Sequence, residues 1–260
     1  MNNLEIIVRK YLHSNRILVV SLNRPKQLNA LNKDLILELR KILKNLEVNN
    51  DIDALILTSE ITKSFCSGID VGYVRGLSNE EAADFFYELA ALFEMVSALP
   101  CITIAAINGY AYGAGADLAL ACDFRIGGAY TRFSFPGPQF GVVLGTQRLK
   151  NEVGSAIARK LVLTGQKIDA EYALQIGLLH EICEEGSCLE TALAWARKTS
   201  HISKHAQKAI KDICFLDNEF SNPEKQSSLV LARNSVLDGD FQLRFNKYLE
   251  RVQSRKKSSK

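Results

Sequence analysis

Two glycine-bearing segments carry the residue types best suited to chemistry: Phe65-Cys66-Ser67-Gly68-Ile69-Asp70 and Gly109-Tyr110-Ala111-Tyr112-Gly113-Ala114-Gly115-Ala116-Asp117. A carbonyl that must become an enolate or a similar oxyanion needs preorganised N–H donors where the charge develops, in a site that excludes water. Gly68 lets the chain turn sharply after Phe65-Cys66 and leaves the Ile69 N–H available. Gly113 and Gly115 stand at a strand-to-helix turn, where the first helical N–H groups lack internal partners and the dipole favours negative charge. Either segment alone also fits a simple tight turn.

Other chemistries lack their residues. A dinucleotide fingerprint fails because Leu118 stands where a third small residue is required. There is no Walker A sequence, no H-E-x-x-H, no Cys/His set with metal spacing and no G-x-S-x-G elbow, so neither a metal nor a nucleophilic serine is expected. His13, His180, His201 and His205 are scattered and read as structural or exposed. The 260 residues carry 32 basic and 29 acidic side chains, a net +3, which gives nucleic-acid binding no bulk support. The basic run Arg255 to Lys260 reads as a solvated tail.

Cys66, Cys101, Cys122, Cys183, Cys188 and Cys214 form no C-x-x-C pair, and most sit in apolar runs, as reduced intracellular thiols do. The start, Met1 to Glu5, has neither secretory nor transit character, and no apolar stretch approaches the ~20 residues of a membrane span. A cytoplasmic enzyme or binding protein without membrane or nucleic-acid partners is the expectation.

The elements that must position these segments follow from periodicity. Strands are expected at Leu4 to Leu12, Ile17 to Asn23, Ala54 to Thr58, Cys101 to Ile107 and Asp123 to Ile126. Leu35, Leu39, Ile42, Leu43 and Leu46 predict a helix from Lys33 to Val48 behind an Asn32 cap. Ser78 and Glu81 form a capping box for a long helix ending before Pro100, and Ala114 to Ala121 forms another. The alternation predicts a mainly parallel sheet with ligands at strand ends. From about residue 146 the chain reads helical: Gly154 to Leu163, Asp169 to Ile176, Cys188 to Thr199, Ser203 to Leu216 and Pro223 to Val252.

These segments, with Asn23-Arg24-Pro25, Asn29-Ala30-Leu31, Gly145-Thr146-Gln147-Arg148-Leu149, Leu163-Thr164-Gly165 and Ala173 to Leu178, resemble the crotonase (enoyl-CoA hydratase/isomerase) superfamily over almost the full length. The resemblance implies an α/β spiral of βαβ units with a C-terminal helical trimerisation region, divided here into residues 1–200 and 201–260. It implies a homotrimer or a dimer of trimers. The ligand would be an acyl-coenzyme A thioester, bound as substrate with no further cofactor. The oxyanion hole maps to the amides of Ile69 and Ala114, and coenzyme A would run past Lys26 to Ala30 and Ser67 to Gly72. The implied binding set is Lys26, Leu28, Ala30, Ser67, Gly68, Asp70, Val71, Gly113, Pro136 and Gly137.

Hydratases of that superfamily use two glutamates. The first maps to Asp117, one methylene shorter, and the second to Gly137, which has no acid. Withdrawing a carboxylate by roughly 1 Å can cost about a hundredfold in rate. Losing a proton-transfer partner costs on the order of 10²–10⁴. Asp117 is therefore expected to act as the single acid/base in hydration, proton transfer or decarboxylation. A first-turn acid that merely complements the helix dipole is the alternative, and its pKa is then expected below the ordinary value unless the pocket is dry.

Two other readings stay open. Gly137-Pro138 resembles the Gly-Pro of dihydroxynaphthoyl-CoA synthases, where bicarbonate stands in for the acid, although Val142-Val143-Leu144-Gly145 replaces their Ser-Phe-Asp-Gly-Gly run. A binding protein that kept the pocket and lost the chemistry is the other. Some members of the superfamily bind RNA, and Lys204, Lys208 and Lys211 align on one helix face. Tyr73, Tyr110, Tyr112 and Tyr130 stand near the segments as alternative acids or packing residues, and Leu92, Phe93 and Val96 either line an acyl pocket or pack.

Overall fold

The computed structural model describes residues 5–11, 16–48, 51–215, 228–237 and 241–258. The chain opens with an antiparallel pair, β1 (Ile6–Tyr11) and β2 (Ile17–Leu22). Helix α1 (Lys33–Val48) follows, started as expected by Asn32, whose side-chain oxygen accepts from the Leu35 N–H at 2.9 Å. Its Leu35, Leu39, Leu43 and Leu46 are buried, one apolar stripe on a charged helix. β3 (Ala54–Ser59) then returns parallel to β2.

One pattern now repeats: a strand in a large sheet, a three-residue strand in a small sheet, then helix. β3 is followed by β4 (Ser64–Cys66), α2 (Val71–Arg75) and α3 (Asn79–Ala98). β5 (Ile102–Ile107) is followed by β6 (Tyr110–Tyr112) and α4 (Ala114–Leu120). β7 (Phe124–Gly128) is followed by β8 (Arg132–Ser134), α5 (Thr146–Val153) and α6 (Ser155–Thr164). β9 (Ile168–Asp169), α7 (Ala170–Gln175), β10 (Glu181–Cys183) and α8 (Cys188–Thr199) complete the layers.

The large sheet has the order β1-β2-β3-β5-β7-β10 and is parallel from β2 onward; the small sheet has the order β4-β6-β8-β9. A strand buried on both faces reads as an unbroken apolar run. That is the situation of β2: Leu18, Val20 and Leu22 join a core with α1 and α3, while Ile17 and Val19 face Ala192, Leu193 and Ala196 of α8. The capping box is present, with Ser78 Oγ accepting from the Glu81 N–H and Glu81 accepting from the Ser78 N–H. Leu92, Phe93 and Val96 of α3 pack in the core.

After α9 (Lys204–Phe215) come α10 (Ser228–Leu237) and α11 (Phe241–Ser258), where one helix from Pro223 to Val252 was expected; residues 238–240 between them, and 216–227 before α10, lie outside the described residues. α10 packs along α3. α11 sends Phe241 and Phe245 into the main core, where Phe140 meets Phe245 at 5.3 Å and Phe86 meets Phe241 at 5.6 Å.

The three aligned lysines of α9, a candidate basic face read as a solvated one, do not all face solvent. Lys211 is buried and donates to the Leu99 and Cys101 carbonyls and to Asp123, because a buried ammonium must be fully hydrogen-bonded. Lys204 reaches Asp53 instead. His180 is likewise structural. Its Nδ1 accepts from the Arg125 N–H, and burial beside the Arg125 charge pushes its pKa down to about 4. His13 lies outside the described residues. All six cysteines are free, and only Cys214 is exposed. Among the described residues no helix is long and apolar enough to cross a membrane.

Candidate active site

The small sheet does the positioning. β4, β6 and β8 run parallel, with Ser64, Tyr110 and Arg132 in register, so the three segments that follow them emerge side by side at one edge. These are Ser67-Gly68-Ile69, Gly113-Ala114 and Phe135-Pro136-Gly137. The Gly113 N–H donates to the Ser134 carbonyl at 2.8 Å and binds the second exit to the third.

Gly68 (φ +107°) and Gly113 (φ +51°) adopt backbone that L side chains rarely take. A Cβ on Gly68 would stand 2.8 Å from the Tyr112 carbonyl oxygen and 3.8 Å from the Ala114 nitrogen, so the two segments lie backbone against backbone. Gly115 completes that contact, since a Cβ there would overlap the Cys66 carbonyl.

Neither expected amide donates to a described residue. Ile69 pairs with Leu31 in a parallel bridge whose hydrogen bonds are made by the Gly68 carbonyl and the Asp70 N–H. The Ile69 N–H therefore points the other way and donates to no described residue. Ala114 is the first residue of α4, and its N–H has no intrahelical acceptor. Both residues line one cleft of about 720 Å³ including its open mouth, within the size range of small-molecule sites.

Asp117 lines the same cleft from the first turn of α4, only 7% exposed. Its carboxyl accepts no hydrogen bond from any described residue. The lowered pKa of a dipole-complementing acid is corrected here: burial pushes Asp117 up to about 7, against the opposing charge of Arg148. Desolvation disfavours the charged form, and no donor is placed to compensate it. Gly145 explains the burial, because a Cβ at that position would collide with the Asp117 carboxylate.

Gly137 opens a 3-10 turn to Phe140 on the facing wall. A Cβ there would stand 2.9 Å from the Val142 carbonyl oxygen, and the Val142 N–H donates to the Gly137 carbonyl at 3.0 Å. Glycine is thus the residue this turn accepts.

Of the residues expected at the site, Asp117, Ile69, Ala114, Ser67, Gly68, Val71, Gly113, Pro136 and Gly137 line the cleft. Asp70 does not. It caps α2, accepting from the Gly72 and Tyr73 N–H groups, and pairs with the buried Arg24 at 3.0 Å. Lys26, Leu28 and Ala30 lie outside the cleft on the strip beside its mouth, where Ser67 Oγ donates to the Gln27 carbonyl and the Ser67 N–H to that of Leu28. Leu28 (φ +50°) and Asn29 (φ +59°) are held left-handed there, with the buried Asn29 side chain donating to Ser59 and the Phe65 carbonyl.

None of Tyr73, Tyr110, Tyr112 and Tyr130 lines the cleft; Tyr110 and Tyr112 stack at 5.1 Å, and Tyr130 is exposed. The wall missed by sequence reasoning is apolar: Phe86, Phe135, Phe140, Val142, Leu144, Val162, Phe245 and Tyr248, with the hydroxyl of Thr146. Their signal was hidden because core and pocket walls use the same residue types. Among the described residues no cluster of His, Cys, Asp and Glu is placed to hold a metal ion.

The enoyl-CoA hydratase/isomerase family model matches residues 13–253. The chain belongs to the enoyl-CoA hydratase/isomerase family. It is 36% identical over 199 residues to a short-chain-enoyl-CoA hydratase of Clostridium acetobutylicum, covering 75% of each chain. It is 35% identical over 210 residues to a 2,3-dehydroadipyl-CoA hydratase of Escherichia coli, covering 80% of each. The solved enoyl-CoA hydratase of Bacillus anthracis superposes with a TM-score of 0.76 at 29% identity, over 98% of this chain and 96% of that one. The fold is accordingly that of the crotonase superfamily. The enoyl-CoA hydratase/isomerase family acts on acyl-CoA substrates.

Proposed function

We propose that this protein adds water across the double bond of a 2-enoyl-CoA thioester, with Asp117 as its single acid/base and the Ile69 and Ala114 amides as its oxyanion hole. The observation that carries the reading is Asp117 itself: a buried carboxyl that accepts no hydrogen bond from a described residue, with a pKa of about 7. A group that must both take and give a proton works best with its pKa near the operating pH.

The steps balance with one carboxyl. Ionised Asp117 takes a proton from water as the water oxygen attacks the β-carbon. The displaced electron pair moves through the α-carbon onto the thioester oxygen, where the two N–H groups receive the charge. Protonated Asp117 then delivers its proton to the α-carbon, giving the 3-hydroxyacyl thioester and restoring the carboxylate. All three proteins compared above are hydratases by name, which favours hydration over the other reactions of the family.

The test is a panel of 2-enoyl-, 3-enoyl- and malonyl-type CoA thioesters, with and without bicarbonate, followed by loss of enoyl absorbance and by mass. Hydration of a 2-enoyl thioester without bicarbonate is expected. Turnover confined to 3-enoyl or malonyl-type substrates would replace the reading with proton shuttling or decarboxylation, and a need for bicarbonate would place an anion beside Gly137. Tight binding without turnover would make the chain a thioester-binding protein.

The assembly proposed with this reading is a homotrimer or a dimer of trimers. The large apolar side chains of Leu163 and Ile213, each 72% exposed, are candidates for cover by a second copy. Light scattering on the purified chain checks it, and a monomer would dismiss it.

A further inference from the structure

One-carboxyl hydration leaves the water held by one side chain, and a nucleophile held at a single point is poorly aimed. Position 137 offers no second acid, because its turn closes on the Val142 carbonyl. The other polar side chains of the cleft are those of Ser67, Thr146 and Tyr248. Ser67 Oγ donates to the Gln27 carbonyl at the mouth. Tyr248 stands in the aromatic wall, 5.1 Å from Phe140. Thr146 lines the cleft together with Asp117, and its hydroxyl makes no hydrogen bond to a described residue. It follows directly on Gly145, whose backbone lies against the Asp117 carboxylate.

We infer that Thr146 is a positioning residue whose hydroxyl oxygen holds the attacking water against Asp117. The inference rests on the hydration reading above. Water offers two O–H donors. One goes to the Asp117 carboxylate and is the proton that moves; the other goes to Thr146 Oγ1 and stays. The water lone pair is thereby turned toward the β-carbon. Threonine neither gains nor loses a proton in the cycle, so all charge transfer remains with Asp117 and the thioester.

This division of labour separates two measurable reactions. Exchange of the α-proton of a saturated acyl thioester needs the amides and Asp117 but no positioned water. Hydration needs all of them. The experiment uses the purified full chain with 2-butenoyl-CoA for hydration and with butanoyl-CoA in D2O for α-exchange by mass.

Thr146→Val is expected to lower kcat for hydration about 10- to 100-fold, with KM within about twofold and α-exchange at the wild-type rate. Thr146→Ser is expected to restore hydration. Thr146→Ala serves as the alternative variant should valine fail to fold, and the same loss of hydration with retained exchange is expected of it. Wild-type hydration in the valine or alanine variant would overturn the role of Thr146 alone. So would equal loss of hydration and exchange, which marks a structural defect. A wild-type protein that exchanges α-protons but hydrates nothing overturns the hydration reading, and the role of Thr146 with it.

Discussion

Asp117 holds its proton for the same reason it can use it: the side chain is buried and accepts no hydrogen bond from a described residue, so that only the Arg148 charge favours its ionised form. In the hydration direction the carboxylate form must meet the substrate. kcat/KM is therefore expected to rise about tenfold per pH unit below pH 7 and to level off above it, and the profile should vanish in Asp117→Asn along with activity on the order of 10²–10⁴. The same burial weakens the fold. Between the ordinary pKa of 3.8 and the folded value of about 7 the native state binds more protons than the unfolded chain, so stability falls as pH rises through that window. The ceiling is about 4 kcal/mol. Asp117→Asn should melt like the wild type near pH 4 and above it at pH 8, which calorimetry at both values checks. The position of this acid was legible from its place after the glycines. Its protonation state was not, because the burial comes from Gly145, which lies far along the chain.

At the scale of elements, the site is a seam between short strands and glycine contacts. Gly115→Ala should force α4 away from Cys66, cost about 1–3 kcal/mol of overpacking and part the two amides, so that turnover falls more than urea unfolding alone explains. Ser78→Ala is the contrast: it removes the cap of α3, costs about 1 kcal/mol and should leave kcat unchanged, since α3 reaches the cleft only through Phe86. The long elements were readable. α1 runs from Lys33 to Val48 as its leucine spacing predicts, and the capping box starts α3 where expected. β4, β6 and β8 were not, because three residues complete too little of a two-residue period to stand out. The turn from β5 to α4 thus looked like one loop, whereas β6 interrupts it and sets the height of Gly113 against Gly68.

For the molecule as a whole, α11 closes the cleft that α4 and the small sheet begin. Phe245 and Tyr248 line it, and Gln242 anchors the helix by donating to the Val74 and Leu77 carbonyls. Phe245→Ala should deepen the acyl end, moving the kcat/KM optimum to longer 2-enoyl chains, and should cost about 3–5 kcal/mol. A chain-length series with thermal melts on the same samples checks both.

The order of synthesis gives that wall a further meaning. Domains emerge from the ribosome N-terminal residues first. Every group proposed to polarise the thioester or move a proton lies before α11, so a nascent chain stalled ahead of Phe241 has its reactive amides made but lacks one side of the groove that excludes solvent. Capture of an acyl thioester by newly made chains should therefore appear late and abruptly, once the aromatic side chains of α11 have left the exit tunnel, and not in step with the gradual appearance of the sheet.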